Sequence, residues 1–151
     1  MSSTKYYMKD AYLSAFYDVV KDTQKTTGFE LPEHLEAYVV MLLASFTDRT
    51  HFLPEDSFAE TYIRLINLKS PNIKELGDTC LFVSGVFPKY KTRYGLNVEY
   101  FSSIGSNSYL QVAETMNADL FIDLSNRFNY VREFISITVN STNNTGLTDW
   151  I

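Results

Sequence analysis

Glu75 and Asp78 stand three residues apart on one side of a helix candidate, the stretch Leu76-Gly77-Asp78-Thr79-Cys80-Leu81-Phe82-Val83-Ser84-Gly85-Val86-Phe87. Burial would raise the pKa of Asp78 toward the range where a carboxyl exchanges protons near neutrality, the chemistry of a general acid–base pair. The bland account is a structural ion pair with Arg64, Lys74 or Arg127, and that is the reading we favour, because a buried carboxylate needs a partner in any case. Cys80 lies among Leu81, Phe82 and Val83. Such surroundings hold a thiol neutral, so Cys80 reads as a core residue rather than a nucleophile. If the space beside the small residues held a ligand, the polar groups around it would be Asp78, Ser84, Ser102 and Tyr109.

Other chemistries find less support. His34 and His51 are far apart, and neither has a His or Cys at ligand spacing, so no metal site is expected. His34 sits in a first helical turn beside Glu33 and reads as solvated. Glu55, Asp56 and Glu60 look like acids complementing a helix dipole rather than an oxygen-only cation site. Neither GxGxxG nor GxxxxGK[ST] occurs, and no cofactor is expected. The segment Lys89-Tyr90-Lys91-Thr92-Arg93-Tyr94 interleaves cations with aromatic rings, as single-strand nucleic-acid binders do. With a formal net charge of -5, an acidic protein partner suits Lys89, Tyr90, Lys91, Arg93 and Tyr94 better than a phosphate backbone.

The elements that must position these residues are helical. Met8, Tyr12, Phe16 and Val19 recur at helical spacing from Lys5 to about Lys25, with Leu13, Tyr17 and Val20 widening the stripe. Thr26-Thr27-Gly28 ends this first helix. A second opens near Pro32 and carries Leu35, Tyr38, Val39, Leu42, Leu43 and Phe46 on one face. Pro54-Glu55-Asp56 starts a third, with Phe58, Ala59, Tyr62, Ile63 and Ile66 as its stripe. Ser70 caps a fourth, with Pro71 in its first turn, that runs to Pro88. Asn97 caps a fifth, to about Met116, and Asp119 a sixth through Leu120, Leu124, Phe128, Val131, Ile135 and Val139. The one rival strand is the β-branched run Phe134 to Val139, where the helical period nevertheless continues. Gly77, Cys80 and Ser84 on the fourth helix, and Ser102, Gly105 or Ser106, and Ala113 on the fifth, form two low ridges. They predict close contact of those two helices.

The run Glu75 to Gly85, the loop after Pro88, and Glu99-Tyr100 with Tyr109 resemble a family of small, functionally uncharacterised bacterial helical proteins with an LGDTxLFxSG-type motif. The segment Leu35-Glu36-Ala37-Tyr38-Val39-Val40-Met41-Leu42-Leu43 is similar to the N-terminal pattern of that family. The resemblance spans roughly Leu31 to Met116. It implies a bacterial cytoplasmic origin and attaches no activity.

At 151 residues the chain suits one domain with a real core and is short for two. A single cysteine excludes an intrachain disulfide and fits a reducing compartment. No apolar run approaches the ~20 residues of a membrane helix, and the N-terminus lacks a secretory pattern. The expected fold is therefore an all-α single domain, residues 1–151, of about six helices packed as an orthogonal or antiparallel bundle, with 140–151 a flexible tail. The expected role is a non-enzymatic cytoplasmic protein-interaction or regulatory module that binds another protein or itself as a homodimer. The alternative is a small enzyme or ligand-binding protein with its site between the fourth and fifth helices. Eleven Tyr and eleven Phe in so short a chain supply sticky area for the first of these.

Overall fold

Gly28 takes the left-handed conformation its place after Thr26-Thr27 predicts, with φ +74°, and its N–H donates to the Gln24 carbonyl at 3.0 Å. That turn closes α1 (Ser2–Thr27) and sends the chain back along α2 (Glu33–Phe46), against which α1 packs. The remaining elements are α3 (Phe58–Leu68), α4 (Ile73–Val86), α5 (Val98–Met116), α6 (Asp119–Asn126) and α7 (Phe128–Ser141). The computed structural model describes residues 2–87, 97–116 and 118–141, with side chains from residue 10 onward. Among the described residues there is no strand, and Phe134 to Val139 is helical. No helix of the described residues is long and apolar enough to cross a membrane.

Helix α4 is the centre of the bundle. From Thr79 to Val86 every residue is buried, and α2, α3, α5 and α7 all pack against it. Its charges, Lys74, Glu75 and Asp78, are confined to the first two turns, where the helix reaches the surface. A helix apolar all round can only be stable with neighbours on every side. Phe82 stacks on Phe46 at 4.3 Å between ring centroids, and Phe52 meets both rings edge-on.

The close approach of α4 and α5 follows from glycine. A Cβ on Gly105 would stand 2.3 Å from the Phe128 ring and 3.0 Å from the Cβ of Cys80. Gly85 plays the same part against α7, where an added Cβ would lie 2.8 Å from Cγ2 of Ile135. The two low ridges of the fourth and fifth helices thus meet, and a third contact, between α4 and α7, joins them.

Several boundaries differ from expectation. The sixth helix is two, α6 and α7, because the chain breaks at Arg127 (φ -109°, ψ 23°). Phe128 begins α7 with its ring in the space beside Gly105, a position reached across this break. Helix α3 opens at Phe58 rather than at Pro54. Ser57 is its cap, its Oγ accepting the Glu60 N–H at 3.1 Å. The buried face of α3 is Phe58, Thr61 and Leu65, and Ile63 faces outward. Tyr17, placed in the apolar stripe of the first helix, is likewise exposed. Helix α4 starts at Ile73, and Ser70 Oγ accepts the Asn72 N–H in the turn before it. Ala118, not Asp119, precedes the first turn of α6. Asn140 and Ser141, read as tail, belong to α7. The rest of that tail, residues 142–151, and the loop residues Lys89, Tyr90, Lys91, Arg93 and Tyr94 lie outside the described residues.

Candidate functional site

Three helices converge on the Asp78 carboxylate. Tyr38 from α2 donates its hydroxyl to Oδ1 at 2.5 Å, and Tyr109 from α5 donates to the same oxygen at 2.7 Å. Lys74, one turn earlier on α4, holds Oδ2 at 2.9 Å. Distances of this kind are those of charge-assisted O–H···O⁻ bonds. The Tyr38 and Tyr109 rings meet edge-on at 6.2 Å, and Phe121 of α6 packs on both. Lys74 Nζ lies 5.5 Å from the centroid of the Tyr38 ring.

Burial pushes both phenols well above the ordinary tyrosine value, and the Asp78 charge pushes them further. Both hydroxyls therefore stay protonated and serve as donors, not as bases or nucleophiles. The Asp78 side chain is only 13% exposed. Of the three cations weighed as its partner, Lys74 is the one that pairs. Glu75 turns instead to Arg49 at 2.7 Å, so the two carboxylates have separate partners. What the arrangement does chemically is bind three helices with one charge.

The other residues of the expected ligand site are elsewhere. Ser84 is buried and its Oγ donates to the Cys80 carbonyl at 2.7 Å, within its own helix. Ser102 borders a cavity of about 380 Å³ beside Ser125 to Tyr130, where α6 gives way to α7. It lies two helical turns from Tyr109, about 10 Å at 1.5 Å per residue. Cys80 is fully buried, and burial alone pushes its thiol up. His34 is not merely solvated: its Nε2 meets Asp123 Oδ2 on α6 at 2.5 Å. No group of three or more His, Cys, Asp or Glu among the described residues is placed to hold a metal ion.

Two features escaped sequence reasoning. Glu36, in the first turn of α2, is buried and accepts from Gln24 Nε2 at 2.5 Å and Lys21 Nζ at 3.0 Å. Gln24 Oε1 in turn accepts the Leu31 N–H at 2.9 Å, so the triad fixes the α1–α2 turn. No local spacing signals a pairing across that turn. The second is the use of tyrosine. Tyr100 OH accepts the Ala59 N–H of α3 at 3.2 Å, and Tyr130 OH donates to the Glu30 carbonyl at 2.5 Å. With Tyr38 and Tyr109, these hydroxyls tie segments distant in sequence, Tyr130 reaching the connection between α1 and α2.

No protein-family model matches the chain, nor does any curated protein or solved structure.

Proposed function

We propose that this chain is a non-enzymatic helical module that associates through its surface, with a second copy of itself as the first partner. The observation that carries this reading is the outward face of α3. Ile63 and Leu68 are 58% and 67% exposed, and with Glu60, Arg64 and Asn67 they border a shallow groove of about 530 Å³. Two large aliphatic side chains on one short helix, with charges beside them, have the composition of an interface core and rim. A two-fold dimer is the commonest closed arrangement such a face would make. The Asp78 carboxylate supports the same reading, because Tyr38, Tyr109 and Lys74 of its own chain already occupy it. The cations and tyrosines of Lys89, Tyr90, Lys91, Arg93 and Tyr94 suit an acidic partner surface in kind. A bacterial cytoplasmic setting is what the family resemblance and the single cysteine support.

Light scattering across a range of concentrations tests the proposal. We expect mass above that of the 17.4 kDa monomer, reverting to monomer in the Ile63→Glu, Leu68→Glu double variant. A native chain that remains monomeric at every concentration overturns the self-association reading.

A further inference from the structure

Thr61 is 6% exposed, and its Oγ1 has no hydrogen-bond partner. This is unusual within the chain itself. Thr23, Thr27, Thr79 and Thr138 each donate to the carbonyl four residues back in their own helix. For Thr61 that acceptor would be the Ser57 carbonyl, which takes only the Thr61 N–H, at 2.9 Å. An unpaired buried hydroxyl is costly, and native structures retain few of them without a reason.

Thr61 borders a cavity of about 470 Å³ between α3, α4 and the segment 51–56, within the size range of small-molecule sites. Phe52, Leu65 and Leu76 supply an apolar wall. Glu55, Asp56 and Glu75 supply three carboxylates. Arg49 holds Glu75, and Arg64 lies 3.9 Å from Asp56. Glu55 has no cation within ion-pair distance among the described residues. His51 completes the charged lining. An anion entering here would meet three carboxylates against Arg64, whereas a cation would complete the balance at Glu55.

The geometry points to a binding site in this cavity for a small hydroxylated organic amine. Its hydroxyl pairs with Thr61, whose Oγ1 is covered in the free chain and turns toward the cavity on binding, its apolar body lies on Phe52, Leu65 and Leu76, and its ammonium faces Glu55 and Asp56, both exposed at the rim. The cavity shares Arg64 with the groove on α3, but Ile63 and Leu68 do not border it, so ligand titration and the association test read different side chains.

Calorimetric titration of the full chain with tyramine tests it, with phenethylamine and 4-hydroxyphenylacetate as comparisons. Tyramine should saturate a single site. Deleting the ligand hydroxyl (phenethylamine) or the protein hydroxyl (Thr61→Val) should each weaken binding roughly five- to tenfold, the worth of one hydrogen bond. Making both changes should cost no more than either alone. 4-Hydroxyphenylacetate should not bind measurably. Thr61→Val should also hold or raise the thermal midpoint of the free chain, since it removes an unpaired hydroxyl, a result that a purely structural Thr61 would not give. Should that variant fold poorly, the tyramine and phenethylamine comparison on the native chain decides. Absence of saturation by tyramine, equal affinity for phenethylamine, or binding of the carboxylate as tight as the amine overturns the assignment.

Discussion

Tyr109 meets α4 at two successive residues: its ring lies against the bare backbone of Gly77, and its hydroxyl donates to Asp78 at 2.7 Å. The two residues explain each other. Glycine admits the ring to a depth at which the hydroxyl reaches the carboxylate, and the carboxylate satisfies a phenol that would otherwise be buried unpaired. Close packing and polar recognition, which compete as accounts of this stretch when it is read as sequence, are here one contact.

The glycine contacts can be ranked by the space each leaves. A Cβ would stand 2.3 Å from the ring at Gly105 and 2.9 Å from the ring at Gly77. Alanine in a helix gains about 0.5–1 kcal/mol over glycine, while overpacking costs ~1–3 kcal/mol. Gly105→Ala should therefore lower the urea midpoint clearly, and Gly77→Ala should lower it less. Gly77→Leu, which cannot be relieved by a small ring shift, should cost more than Gly77→Ala. Midpoints unchanged across the series would place Phe128 and Tyr109 away from these glycines.

Substitutions at Asp78 should be strongly unequal. Asp78→Ala strands the buried Tyr109 hydroxyl, at roughly 1–3 kcal/mol, leaves the partly buried Tyr38 hydroxyl without this acceptor and frees Lys74. Asp78→Asn keeps an acceptor for both hydroxyls and should cost distinctly less. Adding Tyr38→Phe to Asp78→Ala should recover stability, because removing both partners of a buried bond is cheaper than removing one. Additive losses in the double variant, measured by chemical denaturation, would mean that the bond is not made.

Most of the fold was legible because apolar residues recur along α1 and α2 with the period of a helix and because Gly28 and Asn97 mark the end of α1 and the start of α5. Asn97 Oδ1 does accept the Tyr100 N–H, at 2.9 Å. The stripe Leu124, Phe128, Val131 and Ile135 was read in the right register, yet the break at Arg127 was not. A break that keeps the apolar stripe in phase leaves no trace in periodicity. The α3 face was misread for the opposite reason. The pattern followed Ile63, an aliphatic residue left outside, and passed over Thr61, a polar one taken in. Asp78 was legible as a buried acid in need of a partner. Its three partners come from residues 38, 74 and 109, and only Lys74 is close enough in sequence to be inferred from helical spacing.

Alkaline pH should weaken the fold through the two buried phenols. Both have folded-state pKa values raised above the ordinary tyrosine value of about 10, by burial first and the Asp78 charge second. Below pH 10 the phenols are neutral in folded and unfolded chains alike, and their contribution is fully present. Above it the unfolded chain loses protons that the folded chain keeps, so stability falls as pH rises, by at most about 1.4 kcal/mol per unit for each group. Tyr38→Phe and Tyr109→Phe should each flatten the decline of urea stability above pH 10. Tyrosinate absorbance on raising the pH should show these two rings ionising only as the chain unfolds. A slope unchanged in both variants would mean that neither phenol is protected.

Association should separate into an apolar and an electrostatic part. Ile63 and Leu68 provide the first, so the Ile63→Glu, Leu68→Glu variant should stay monomeric at all salt concentrations while folding as the native chain does. On the proposed reading Lys89, Lys91 and Arg93 would provide the second. The chain carries a formal charge of -5, so two copies repel overall, and these cations would supply local attraction to the acidic surface of a second copy. Salt should therefore loosen the native dimer by screening that attraction. Replacing all three cations with Ser tests this part, with the thermal midpoint as the check that the fold is kept. It should reverse the salt response, because only repulsion then remains to be screened. Light scattering of the two variants over a salt series measures both effects. A triple variant with the native affinity and the native salt response would show that the three cations take no part in association, leaving the α3 face as its whole basis.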